Sequence, residues 1–283
     1  MALTLPNPRA TLAKAVMHRV AGNRFQDVHN RIWDTPGERW FAPEDAIWRV
    51  HADTAMFVGG IRALLLEALH PVAMLAVSEH SGVRSDPWGR LQRTSTFLAT
   101  TTYGAAADAE RAVSVVRAIH GRIRGVTPDG RDYRADDPDL LLWIHAAGTE
   151  SFLVGHQHFG QVPLDAAEAD AFVRQSGDIA RRLGVTDPPA TVAELTAVLE
   201  GYRPVLTGSA PAREATDLLL HDPPLGYPAR LGYRVLAAGA VSTLPHWARA
   251  MLRLPTLPVT DRTVVRPLAR SAVVTLRWAL SGL

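Results

Sequence analysis

The chain has 283 residues, 47% of them apolar, with a formal net charge of +2 and a pI near 9.3. It has no cysteine, which excludes disulfides, cysteine nucleophiles and every thiolate metal ligand. Lys14 is the single lysine, and the arginines are interleaved with Asp and Glu, so no basic run stands out as a nucleic-acid footprint.

The N-terminal stretch MALTLPNPRATLAKAVMHRV lacks the continuous apolar core of a secretory signal. No run of about 18 apolar residues is present to span a bilayer, and the expectation is a cytoplasmic protein without a transmembrane segment. Residues 43–51 read as a short helix after Pro43. A longer helix starts at Asp53 as N-cap and runs through MFVGGIRALLLEALH until Pro71 breaks it, because proline offers no donor and clashes with the preceding turn. VAMLAVSEHS continues as a second piece, SGVRSDPWG is a loop, and RLQRTSTFLATTTYG is helical despite its threonines. Asp108 is expected to cap a helix that runs to Gly125. TPDGRDYRADDP then makes a turn region or a small ribbon, with no convincing pair of alternating strands around it.

Asp137 and Pro138 open the next helix, with proline at the first helical position. Asp165 caps a helix that ends at Gly184, and Thr191 with Glu194 has the form of a capping box. Beyond residue 205, prolines divide a series of further helices. The periodicity predicts an all-α, single-domain bundle of about ten helices over 1–283, globin-like in class only. The tail from about residue 228 is apolar and arginine-rich. It packs on the bundle or, alternatively, lies on a membrane surface as a peripheral contact.

The chemistry-bearing candidates sit on these helices. Val113, Val116, His120 and Ile123 fall on one stripe, which turns His120 inward. A core histidine satisfied by a carbonyl or carboxylate fits that position. So does a haem ligand, which needs a neutral imidazole on a rigid helix in an apolar slot. His145 presents the same choice, sharing a face with Leu141, Gly148 and Phe152, while Glu150 lies on another face. Arg90 and Thr94, four apart, can hold a carboxylate between them. A surface arginine beside a threonine bonded to its own helix is the plainer reading.

Gly59-Gly60 costs an apolar helix about 1 kcal/mol per glycine, which implies close approach of another helix or a flat ligand. His156 and His158 at a helix end are read as solvated rather than metal-binding. Glu67-Ala-Leu-His70 is one Glu-x-x-His unit, and without a second it does not make a di-iron bundle. Dinucleotide, P-loop and nucleophile-elbow motifs are missing.

Taken in order, GGIRALLLEALHPVAM, HSGVRSDPWGRLQRT, VVRAIHGRIRG and YRADDPDLLLWIHA resemble an oxygenase family. That family holds the bacterial latex-clearing proteins (rubber oxygenases) and the fungal mycophenolate-pathway oxygenase. TLPHWARAMLRLP adds a fifth segment, and the likeness covers about residues 50–255. The resemblance implies a mostly helical fold and, from the characterised rubber oxygenases, one b-type haem held by a single histidine. Those enzymes use dioxygen to cleave isoprenoid double bonds into carbonyls.

The resemblance also implies site residues. The order of motifs assigns the iron to His120, with His145 as the alternative, and the haem edge to Arg90 and Thr94. Arg93 stands where the characterised enzymes carry a distal lysine, and a guanidinium does not leave as a neutral amine. The family's catalytic glutamate matches the region of both Glu67 and Glu79, and either can fill the role. The expectation is a haem b-dependent oxygenase using dioxygen or peroxide on an apolar, unsaturated or isoprenoid substrate. The rival is a non-catalytic haem or small-ligand binder, a sensor or carrier.

Overall fold

A proline that follows an apolar helix cannot donate to the preceding turn and forces the chain to bend. In this computed structural model, which describes residues 8–22, 25–80, 87–221, 223 and 225–281, Pro71 does so at the centre of the molecule. Helices α4 (Met56–Glu67) and α5 (Pro71–His80) meet at 105°. Before them come α1 (Pro8–Ala21), α2 (Phe25–Asp34) and α3 (Ala46–Ala52); after them, α6 (Pro87–Tyr103) and α7 (Ala106–His120). The expected loop over residues 81–86 lies outside the described residues.

α4 is apolar nearly all round and is buried against α8 (Pro138–Phe159), the longest helix. Asp137 caps α8, accepting the Asp139 amide at 2.9 Å, with Pro138 at its first position. The two helices cross where neither carries a side chain. A Cβ on Gly155 would sit 3.0 Å from the Gly59 Cα, and one on Gly59 would sit 3.0 Å from the Phe152 Cα. Next to this crossing, the buried guanidinium of Arg62 pairs with the Glu150 carboxylate and donates to Ser151 Oγ at 2.8 Å. Trp143, Phe159, Ile47, Leu65 and Leu66 fill the core around α4 and α8, and Phe172 joins them from α9 (Ala166–Leu183).

α9 begins with a full capping box between Asp165 and Glu168 and stops at Gly184, whose φ of +111° suits glycine. α10 (Val192–Tyr202) keeps half of the expected box: Thr191 accepts from the Glu194 amide, while the Glu194 carboxylate accepts from Ala190. α11 (Ala210–Leu220), α12 (Tyr227–Thr243), α13 (His246–Met251) and α14 (Pro258–Thr260) follow. A π-helical segment, Asp261–Val265, leads into α15 (Arg266–Leu280). α12 packs on both α4 and α15, and α15 also packs on α1 and α8, so the C-terminal helices close one side of the bundle.

Three expectations need correction. The helix expected to reach Gly125 ends at His120, and Arg124–Val126 (β1) pairs antiparallel with Asp132–Arg134 (β2) through a turn at Gly130, φ +84°. Gly125 is not a helix stop: a Cβ there would lie 2.6 Å from the ring of Tyr133, which is buried over it. Asp108 sits inside the first turn of α7, where its charge favours the helix dipole, and Ala105 takes the cap position. Asp53 lies ahead of α4 instead of on its cap position; its carboxylate accepts the Ala55 amide at 2.8 Å and pairs with Arg277 of α15 at 2.7 Å.

Candidate active site

α4 through α9, together with α11, α12 and α15, do not close on one another. They enclose a cavity of about 1630 Å³ with mostly apolar walls. Single ligand pockets in proteins usually measure roughly 300–1,000 Å³, so this space is larger than one ordinary ligand needs. Leu64 shows what makes the wall: it stands on the central helix, yet 39% of its surface is exposed, because that side faces the cavity. The two neighbouring glycines of α4 divide the work. Gly59 meets α8, whereas Gly60 borders the cavity, with only a Phe152 ring carbon within 4.0 Å of where its Cβ would be.

Six of the seven residues singled out in the sequence meet in this wall: Glu67 from α4, Arg90, Arg93 and Thr94 from α6, His120 from α7 and His145 from α8. Glu79 does not. The 105° turn at Pro71 carries it to the outer side of α5, where it accepts from the Tyr133 hydroxyl at 2.7 Å and lies 3.8 Å from His80 Nε2. His70 also leaves the cavity, packing its ring on Trp143 and Tyr202, so the Glu67-Ala-Leu-His70 unit does not converge on one point. His156 is not solvated as expected. It is buried, with Nε2 3.0 Å from the Val162 carbonyl oxygen and Nδ1 without a partner.

Burial sets the ionisation of the wall. The Glu67 carboxyl is pushed up to about 7, because the charged form is poorly solvated there; the nearby Arg90 guanidinium works against that shift. Arg90 in turn is lowered by its own burial, with Glu67 opposing and Arg93 adding to the effect. Burial lowers His145 to about 4, with a smaller push from Arg181. Burial also lowers His120, while the Asp136 carboxylate beyond the ribbon acts the other way. Both imidazoles are therefore neutral at neutral pH, the form that offers a lone pair. Nδ1 of His120 and Nε2 of His145 are buried and have no hydrogen-bond partner. A buried orphan of this kind costs roughly 1–3 kcal/mol and calls for an explanation; His156 Nδ1, outside the cavity wall, is another.

One wall residue escaped sequence reasoning. His51 of α3 is buried among Phe152 and Phe172, its Nδ1 lies 2.9 Å from Thr102 Oγ1, and burial lowers it to about 4. Its signal was the spacing Ile47, Val50, His51, one inward face on a short helix.

A family model described as ER-bound oxygenase mpaB/B'/Rubber oxygenase, catalytic domain, matches residues 48–278. The chain belongs to this oxygenase family. The match runs from α3 to α15 and takes in every element of the cavity wall named above, including C-terminal helices beyond the segments that carried the resemblance. As a member of the rubber oxygenase and mpaB family it is an oxidoreductase that takes oxygen and a small-molecule substrate. Comparison with curated proteins and with solved structures gave no match.

Proposed function

We propose that this protein is a haem b-dependent oxygenase for an apolar, unsaturated substrate, with His120 as the proximal iron ligand. The observation that carries the reading is the pairing of a cavity large enough for a porphyrin with a neutral, half-buried imidazole in its wall whose buried Nδ1 lacks a partner. Among the described residues no three His, Asp or Glu side chains gather to hold a bare metal ion. An iron carried by a porphyrin needs only one such side chain from the protein. The residues present thus fit the group.

Bound haem b would supply the redox centre at which oxygen is activated. The chain's own residues would do the rest. His120 would hold the macrocycle from α7. Arg90 and Thr94, on successive turns of α6, would bind the carboxylates at its edge. Arg93 would bring a fixed positive charge to the distal side. Glu67, titrating near neutrality inside an apolar wall, would hold or release a proton at its carboxyl oxygen. The apolar walls exclude water and take up the hydrocarbon part of the substrate.

An ultraviolet-visible spectrum of the purified chain, and of the apoprotein titrated with haemin, tests this directly. The expected result is a Soret band that His120→Ala abolishes or shifts and His145→Ala leaves in place. Exchange of those two outcomes would move the ligand to His145; no haem uptake by the folded wild type would end the proposal. Oxygen consumption with an unsaturated lipid separates the enzyme from a carrier, which would bind haem without turnover.

A further inference from the structure

α15 is amphipathic in an unusual way: its outward side is apolar. Val264 of the π-helical segment and Leu268, Val274 and Trp278 of α15 recur along one side, each about half exposed, and Leu257 and Val259 at the start of α14 extend the patch, Val259 at 74% exposure. The stripe carries no acidic group. Asp261, the one acidic residue in the sequence from 225 to 283, is tied to Arg249 at 2.7 Å.

The charged side chains of α15 hold the helix down from its other side. Arg277 pairs with Asp53, Arg270 donates to the His158 carbonyl at 2.7 Å, and Arg266 donates to the Ser242 carbonyl at 2.8 Å. The apolar stripe is consequently presented outward by a helix that is anchored to the body.

Charge sharpens this. Residues 225–283 hold eight arginines against the single Asp261, a formal charge of +7 in a chain whose total is +2, so the other 224 residues total −5. Arg234, Arg253 and Arg262 are exposed in that basic segment. An apolar stripe set in a positively charged surface is complementary to one kind of partner, a bilayer with anionic headgroups: the side chains enter the acyl boundary while the arginines meet phosphate. Among the described residues no single helix is long and apolar enough to cross a bilayer, so the contact would run along the surface.

We propose that α14, the π-helical segment and α15 form a docking surface for an anionic membrane. The face of α15 next to the stripe, Ala272, Thr275 and Leu276, lines the large cavity. One helix thus has lipid on one side and the cavity on the next. Docking itself does not depend on the haem reading.

Co-sedimentation of the full chain with phosphatidylcholine vesicles, with and without phosphatidylglycerol, tests the proposal. The wild type is expected to bind the anionic vesicles and to release them as salt is raised. Leu268→Ser with Val274→Ser should weaken binding by about tenfold or more. Arg253→Gln and Arg262→Gln should each weaken it by roughly fivefold on anionic vesicles alone. All four positions are exposed, and circular dichroism checks that the variants fold. Vesicle binding unchanged in the serine variant would overturn the proposal, as would equal binding to both vesicle types. A concentration-dependent dimer that the serine variant abolishes would overturn it too, and would give this face to a second copy of the chain.

Discussion

The Thr149 hydroxyl oxygen lies 3.3 Å from Nδ1 of His145, one turn back along α8, so the second nitrogen of that imidazole is the one left without a partner. Only one nitrogen of a neutral imidazole carries a proton, and the Thr149 contact helps to decide which. Thr149→Val keeps the shape and removes the contact. With His120 on the iron, the variant should lose roughly 1 kcal/mol of stability and keep its Soret band unchanged. A displaced band would reveal His145 as the ligand. Chemical denaturation and an absorption spectrum of the same sample measure both.

Gly59 and Gly60 are neighbours in sequence with opposite requirements. A methyl on Gly59 meets the Phe152 backbone at 3.0 Å, and a backbone cannot swing away. Gly59→Ala is expected to cost about 1–3 kcal/mol as the α4–α8 crossing is forced apart. Gly60→Ala meets only open space and one ring carbon at 4.0 Å, and should gain about 0.5–1 kcal/mol from helix propensity. Urea unfolding of the two variants checks the sign of each.

Glu67 predicts a pH dependence of definite sign. Its carboxyl titrates at about 7 in the fold against 4.5 for the unperturbed group. The folded state therefore holds the proton more tightly than the unfolded chain. The associated stability is complete below pH 4.5 and is lost as the pH rises to 7. Glu67→Gln cannot ionise and keeps that stability. Stability of the variant minus that of the wild type should grow across this window, up to roughly 3 kcal/mol. Taking the difference removes the opposite trend of His51 and His145, which are both lowered to about 4 and lose stability as the pH falls from 6.5 towards that value. A flat difference curve between pH 4.5 and 7 would contradict the buried, proton-retaining carboxyl.

Arg62 is 1% exposed and relies on Glu150 for its charge balance. Removing one partner strands the other. Glu150→Ala is expected to destabilise by roughly 3–5 kcal/mol. Arg62→Met together with Glu150→Gln, which removes both charges and keeps the volume, should recover most of that loss. Thermal unfolding of the single and double variants tests the coupling.

Much of this fold could be read from punctuation in the chain. Asp137-Pro138, Asp165 with Glu168, Gly184 and Pro71 each do in the structure what their local chemistry predicts. Local chemistry misled at Gly125, because a glycine that stops a helix and a glycine that makes room for a tyrosine ring look alike until the ring's position is known. The choice between Glu67 and Glu79 was illegible for a related reason. Both sit on apolar helical stripes, and only the angle at Pro71 sends one into the cavity and the other towards Tyr133. The cavity itself left no trace, since an apolar residue has the same periodicity whether it faces a neighbour or a void. Leu64 and Leu65 are adjacent leucines, one 39% exposed and the other 1%.

A void of about 1630 Å³ inside a chain of this length has a thermodynamic consequence. A molecule that fits this space binds the folded chain and not the unfolded one, so it stabilises the fold as its concentration rises. Whatever occupies the interior would act as a structural strut as much as a reagent, and the stabilisation it brings could be read from unfolding alone, before any turnover is measured.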